Sequence, residues 1–294
     1  MILVTGAEGL IGRRLCARLR AEGLEVRAFD LKRSADEDTR NRASLAAALN
    51  NAEGVIHLAA VSRVVWAERD PALCQATNVE ALKALVELSL AGARPWMIFA
   101  SSREVYGHPG RLPVAEDHPL QPVNTYARSK RDGERIVQAA SDAGLVANIC
   151  RFSNVYGCPD DHADRVVMAF ATAAARGGVM SVEGPAHMFD FTAVNDAVDG
   201  LWRLVQATRK AERLPPVHFV SGQGTTLGEL AEIAAARALG PVTIQEAPAR
   251  SYDVSKFVGD PARAQALLGW TARADLGDEI SSLIAALRTP VALS

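Results

Sequence analysis

The sequence predicts an α/β chain: a doubly wound parallel sheet with helices on both faces, followed by a smaller C-terminal α/β lobe. Three observations carry that expectation. Short apolar runs alternate with helix-length amphipathic runs from ILVTG through VANICRFSNVYG. A glycine-rich turn, TGAEGLIG, stands between the first strand and the first helix. Beyond about residue 155 the alternation loosens, and Pro and Gly recur in GCPD, RGG, EGPA, LPP and SGQG. The expected division is therefore 1–155 for the first lobe, with about 188–210 returning to it, and 156–294 for the second.

Taken in order, ILVTG is a short apolar strand, and GLIGRRLCARLRAEG is a helix whose stripe Ile11, Leu15, Leu19 ends at Gly23. EVRAFD is a strand, SLAAALN a helix, GVIHLAA a strand and NVEALKALVELSLAG a helix. WMIFASS is a buried strand. The helix TYARSKRDGERIVQAASDAG follows, with Asn124 placed to cap it and Gly144 to close it. VANICRFSNVYG reads as one further strand, and the Ala-rich tract AFATAAARGG as a helix of strong helix formers.

Composition narrows the function. With 294 residues, 49% of them hydrophobic, the chain can bury a large core. A net charge of −2 offers no electrostatic footprint for nucleic acid or an anionic membrane, so neither is an expected partner. Arg13, Arg14, Arg18 and Arg20 fit the solvated side of one helix. The opening MILVTG enters a strand at once, and no apolar run is long enough for a bilayer, which makes a cytoplasmic location the expectation. Cys16, Cys74, Cys150 and Cys158 lack CxxC spacing and read as reduced packing residues. Cys158, Asp160, Asp161 and His162 cluster without a second pair of ligands, so they read as a polar loop beside a cleft, and no metal is expected. Trp66, Trp96, Trp202 and Trp270 read as packing residues, and His57, in an apolar strand, as a core or cofactor-side residue.

In TGAEGLIG, Gly6, Gly9 and Gly12 allow a tight turn, close approach to a pyrophosphate and close packing of helix on sheet. The helix N-terminus behind them offers free N–H groups. Asp30 ends the second strand 18 residues past Gly12, where a carboxylate can accept from both adenosine ribose hydroxyls and repels a 2′-phosphate. NAD is favoured. Lys32 and Arg33 follow closely and leave NADP open.

Tyr126 and Lys130, four apart in TYARSK, share one helical face. A tyrosine hydroxyl titrates near ~10 and is a poor base at neutral pH. A neighbouring lysine cation, together with an oxidised nicotinamide ring, favours the phenolate, which could take a proton from a substrate alcohol while hydride leaves for the cofactor.

TGAEGLIG, HLAA, TNV, SSREVYG and YARSK, continued by RFSNVYG, DFTAVNDAVDG, VSGQGTTLGELAEI and DPARAQALLGW, resemble the extended short-chain dehydrogenases/reductases of the NAD-dependent epimerase/dehydratase family. The resemblance spans nearly the whole chain. It implies a dinucleotide-binding Rossmann domain, a smaller lobe that usually holds a nucleoside-diphosphate sugar, and a catalytic set of Ser102, Tyr126 and Lys130. Cofactor contacts are expected at Gly6, Gly9, Leu10, Ile11, Gly12 and Asp30, and at Leu58, Ala59, Ala60 and Ser101, besides Tyr126 and Lys130. Asp38 matches an acid that meets the adenine amine in relatives, and Asn78 a residue near the cofactor. Substrate contacts are expected at Ser62, Ser102, Arg103, Glu104, Tyr126, Asn154 and Arg250. The resemblance also implies a homodimer through a four-helix bundle, with Val79 to Leu90, Ile136 and Val137 as its apolar faces.

Relatives that are 4,6-dehydratases carry adjacent Asp and Glu behind the catalytic hydroxyl. Here Glu104 matches the glutamate, but Arg103 replaces the acid and cannot release a proton at neutral pH. Epimerisation of a nucleotide sugar at carbon 4 therefore ranks first and dehydration below it. An ordinary surface ion pair is the alternative reading of Arg103 and Glu104. Two departures from the family pattern matter: the segment from Asp30 to Asp38 is short, and Phe189 stands where relatives carry a diphosphate-binding arginine. The second motivates a net oxidoreductase acting on a sugar or sugar acid, with Arg250 and Arg165 left to grip phosphate. A non-catalytic NAD-binding protein is the third reading.

Overall fold

The computed structural model describes residues 1–249 and 254–288. Its first strands, β1 (Ile2–Thr5), β2 (Val26–Phe29), β3 (Gly54–His57), β4 (Trp96–Ser102) and β5 (Ala147–Phe152), are all parallel. Strand alternation sends neighbours to opposite faces. Ile2, Val4, Ile56 and Ile98 enter one apolar layer, whereas Leu3, Val55, Met97 and Phe99 enter the other. Burial on both sides explains why these strands read as continuous apolar runs.

The helices supply those two layers. On one side α1 (Leu10–Ala21) contributes Leu15 and Leu19. On the other, α2 (Arg42–Leu49) contributes Leu45 and Ala48. Two short helices unread from the sequence, α3 (Val64–Arg69) and α4 (Pro71–Gln75), then lead into α5 (Ala81–Ala91). α6 (Thr125–Asp142) begins at Asn124, whose side chain accepts from the Ala127 amide at 2.8 Å, and Gly144 follows its end at φ +96°.

VANICRFSNVYG is not one strand. It breaks at Ser153, whose hydroxyl donates to the Asp190 carbonyl, and the chain leaves the first sheet as β6 (Asn154–Tyr156). After α7 (Val166–Arg176) and β7 (Gly178–Glu183), β6 pairs in parallel with β8 (Met188–Ala193). α8 (Val194–Arg209) then packs back on the first sheet through Val194, Ala197, Leu201 and Leu204. The short β9 (Val217–Phe219) completes that sheet in the order β2-β1-β3-β4-β5-β9. The remaining elements are β10 (Gly224–Thr226), α9 (Leu227–Ala235), β11 (Val242–Ala247), β12 (Lys256–Phe257), α10 (Ala262–Leu268) and α11 (Leu276–Arg288). β10 and β12 flank β8, β11 pairs with β7, and α7, α9 and α11 share a second core.

The apolar faces expected to pair two subunits are largely consumed within the chain. Leu82, Leu85, Val86 and Val137 lie in the layer beneath the sheet with Phe99 and Ile149. The sheet needs its own cover before any partner is offered one.

A desolvated polar chain runs behind the strand tips. Glu134 on α6 receives Arg151 of β5 at 2.8 and 2.7 Å and the Ser101 hydroxyl of β4. Arg151 also donates to the Tyr106 hydroxyl at 2.6 Å and the Glu116 carbonyl at 2.7 Å, and Tyr106 meets His218. His218 and His57 are buried, and burial pulls each down to about 3 from the ordinary 6.5. On acidification the unfolded chain takes these protons first, so stability fully present above the ordinary value is lost as pH falls toward the folded one. Denaturation midpoints should therefore drop from neutral pH to about pH 4, and drop less in His57→Gln and His218→Gln. Parallel curves for the variants and the natural chain would contradict this.

Candidate active site

The carboxyl ends of the parallel strands open into one cavity of about 980 Å³, and most of the residues singled out from the sequence line it. At the cofactor end the chain leaves β1 through Gly6 at φ +70°, where an added Cβ would lie 2.6 Å from the Ala59 nitrogen. At Gly12 an added Cβ would lie 2.2 Å from the Gly6 carbonyl oxygen. These glycines bring loop, helix and the β3 exit into contact. No side chain caps α1 at Gly9, so its first-turn amides stay available to an anion. Gly6, Gly9, Leu10, Ile11, Gly12, Leu58, Ala59 and Ala60 all line the cavity.

Asp30 also lines it, with its carboxylate already accepting from the Glu8 amide at 2.9 Å and the Lys32 amide at 2.8 Å. Glu37 accepts from the Asp30 amide at 3.0 Å. The Arg33 guanidinium is turned to Glu8 at 3.0 Å and Glu37 at 3.5 Å rather than held free for a phosphate. Asp38 lines the cavity and binds Arg40 through both carboxylate oxygens, which holds its carboxyl below the usual range.

At the reacting end Ser102 and Tyr126 line the same part of the cavity, and the serine hydroxyl lies close enough to act on the phenol. The same hydroxyl accepts from the Glu104 amide at 3.2 Å. One helical turn on, the Lys130 ammonium donates to the Ala100 carbonyl at 2.8 Å and sits 5.9 Å from the Tyr126 ring centre. The three side chains thus converge. Burial dominates the electrostatics of the pair and holds Tyr126 up at about 12, with Ser102 acting in the opposite direction. Burial also lowers Lys130 to about 8, since an ammonium loses its hydration there. Ser101 lines the cavity too, although its hydroxyl is bound by Glu134.

In the substrate half, Ser62, Arg103, Glu104, Asn154 and Phe189 line the same cavity. Arg103 and Glu104 do pair, at 2.8 Å, but at 8% and 7% exposure they are no surface pair. The guanidinium lies over the Phe189 ring at 4.5 Å. Asn78 stands behind the cavity wall, its side chain accepting from the Val61 amide at 2.7 Å and donating to the Ser129 hydroxyl at 2.9 Å, while its neighbour Thr77 lines the cavity. Arg250 lies outside the described residues.

Sequence reasoning overlooked Arg63 and Trp66, both cavity-lining. Arg63 reaches Asp164 at 2.6 Å, and Trp66 meets His162 edge-on at 4.8 Å, so the loop carrying Asp161 and His162 borders the cleft. Tryptophan in WAERD, assigned to packing, gave no separate signal.

A glycine-cradled sheet edge beside a Ser, Tyr and Lys cluster defines a dinucleotide-dependent enzyme class. The NAD dependent epimerase/dehydratase family model matches residues 2–222, and the chain belongs to that family. It is similar to the UDP-glucose 4-epimerase of Rhizobium meliloti, 28% identical over 310 residues that cover 94% of this chain and 93% of the relative. The structure of MoeE5 in complex with UDP-glucose and NAD matches at TM-score 0.89 and 28% identity, over 98% of each chain. The Thermus thermophilus UDP-glucose 4-epimerase complex with NAD matches at TM-score 0.88 and 25% identity, over 99% of each chain.

The cradle generates a direct expectation. Gly12→Ala must displace the Gly6 carbonyl and open the turn, which weakens NAD binding by about tenfold or more while leaving the sheet folded. Calorimetric NAD titration, with thermal unfolding as a folding control, measures it; unchanged affinity would refute the assignment.

Proposed function

We propose that this protein is an NAD-dependent nucleotide-sugar epimerase, inverting carbon 4 through a transient 4-keto sugar. The observation that carries the reading is the convergence of Ser102, Tyr126 and Lys130 at one end of a cavity whose other end is the glycine cradle. Bound NAD would supply the hydride acceptor and donor, held by Gly6 to Gly12, Asp30 and Asp38, with Leu58 to Ala60 against its other side. The Asp30, Glu8 and Glu37 carboxylates around Arg33 favour NAD over NADP, since they would repel a 2′-phosphate.

Within the chain, Tyr126 takes the proton of the substrate alcohol at its phenol oxygen and returns it after the sugar has turned. Ser102, beside that phenol, orients the reacting oxygen and stabilises charge developing there. Lys130, fixed by the Ala100 carbonyl, keeps a positive charge beside the ring that favours the phenolate. Ser62, Arg103, Glu104, Asn154 and Arg250 are the proposed sugar-nucleotide contacts. Cofactor belongs mainly to 1–155 with 188–210, and substrate to 156–294.

Arg103 in place of an acid disfavours dehydration, because it has no proton to give to a leaving hydroxyl. Phe189 in the substrate half favours one second reading, a net oxidoreductase on a sugar or sugar acid. No described helix is long and apolar enough to cross a membrane. We place the enzyme in the cytoplasm as a homodimer, which must use the outer sides of α5 and α6, given their buried inner faces.

Incubation with NAD and a panel of UDP-, GDP- and dTDP-sugars should interconvert at least one pair of epimers without net NADH. Tyr126→Phe should lower kcat by about 10²–10⁴. Stoichiometric NADH would transfer the assignment to the oxidoreductase reading, and full activity in Tyr126→Phe would remove the proposed base.

A further inference from the structure

Resting on the nucleotide-sugar reading, we propose that Arg103 is a specificity-determining residue that selects a sugar carrying a carboxylate beside the reacting carbon, a nucleoside-diphosphate uronate. Arg103 directly follows Ser102, and both residues line the same cavity as Tyr126. Its orientation is fixed from several sides. The Phe189 ring lies 4.5 Å from the guanidinium carbon and the Phe257 ring 5.8 Å, and Nη2 pairs with Glu104 Oε1 at 2.8 Å.

The remaining nitrogen is the informative one. Nη1 of Arg103 is buried and has no hydrogen-bond partner; among the described residues only Nε2 of His57 shares that condition, and His57 does not line the cavity. A buried N–H left unpaired is costly, and the cost disappears where a ligand oxygen completes it. Besides Lys32, beside Asp30 at the cofactor end, the other cations of the wall are engaged: Arg40 by Asp38, Arg63 by Asp164, Arg165 by Asp161, and Lys130 by the Ala100 carbonyl.

Charge decides between a carboxylate and a neutral hydroxyl as the missing acceptor. Glu104 is committed, with Oε1 on Arg103 and Oε2 accepting from Asn124 at 3.0 Å. Glu134 is matched by Arg151 and is not available to Arg103. An incoming carboxylate forms a charge-assisted bond to a planar donor. A hydroxyl forms only the weaker neutral bond.

The test is calorimetric binding of UDP-glucuronate and UDP-glucose to the NAD-loaded protein. The natural chain should bind UDP-glucuronate about ten- to hundredfold more tightly. In Arg103→Met that ratio should collapse toward unity, and Arg103→Lys should restore part of it. Equal affinities in the natural chain overturn the proposal without any variant, which covers the case of a poorly folded Arg103→Met. A preference that persists in Arg103→Met also overturns it. A uronate preference without epimerisation of either sugar leaves Arg103 standing and counts against the epimerase reading alone.

Discussion

The site depends on one desolvated ion pair, Glu134 with Arg151. Glu134 lies one helical turn beyond Lys130, and Arg151 sits on the strand beside β4, so the pair ties the helix bearing Tyr126 and Lys130 to the strand ending in Ser102. Both oxygens of Glu134 are used by the guanidinium, and one also receives Ser101. Such a pair contributes little net stability, yet losing one partner strands a buried charge at a cost of about 3–5 kcal/mol. What it supplies is register. A shift between α6 and β4 would separate the phenol from its serine.

Around that anchor the two ends of the cavity are built on opposite principles. At the cofactor end side chains are removed: glycines bring backbone to backbone, and a helix N-terminus is left open. Charge there is carried by a rim of carboxylates with their own arginines. At the reacting end side chains are packed in, and burial rather than charge sets their protonation. Tyr126 and Lys130 are both pushed toward their neutral forms.

The two lobes share their construction. α8 and β9 return to the first sheet after β8 has joined the second, and Arg13 and Arg63 reach Asp160 and Asp164 across the cleft. The exposed pair between Arg13 and Asp160 adds little energy. The cleft walls are held mainly by the two apolar cores and by β6 and β8, which join just behind Asn154.

The sequence by itself determined the alternation of strands and helices, the glycine turn, the Asn124 cap and the catalytic-type Ser, Tyr and Lys, because these are local patterns with local physical reasons. Tyr126 and Lys130 share a face by helical spacing alone, and Gly6 and Gly12 are needed wherever chain crosses chain. Only the tertiary structure decided the rest, since it turned on neighbours distant in the chain. The break at Ser153 follows from Asp190, the retreat of Asn78 behind the wall from Val61 and Ser129, and the burial of Arg103 from Phe189 and Phe257. The burial of Tyr126 belongs with these: spacing shows that a lysine is near, but desolvation depends on everything folded around the pair.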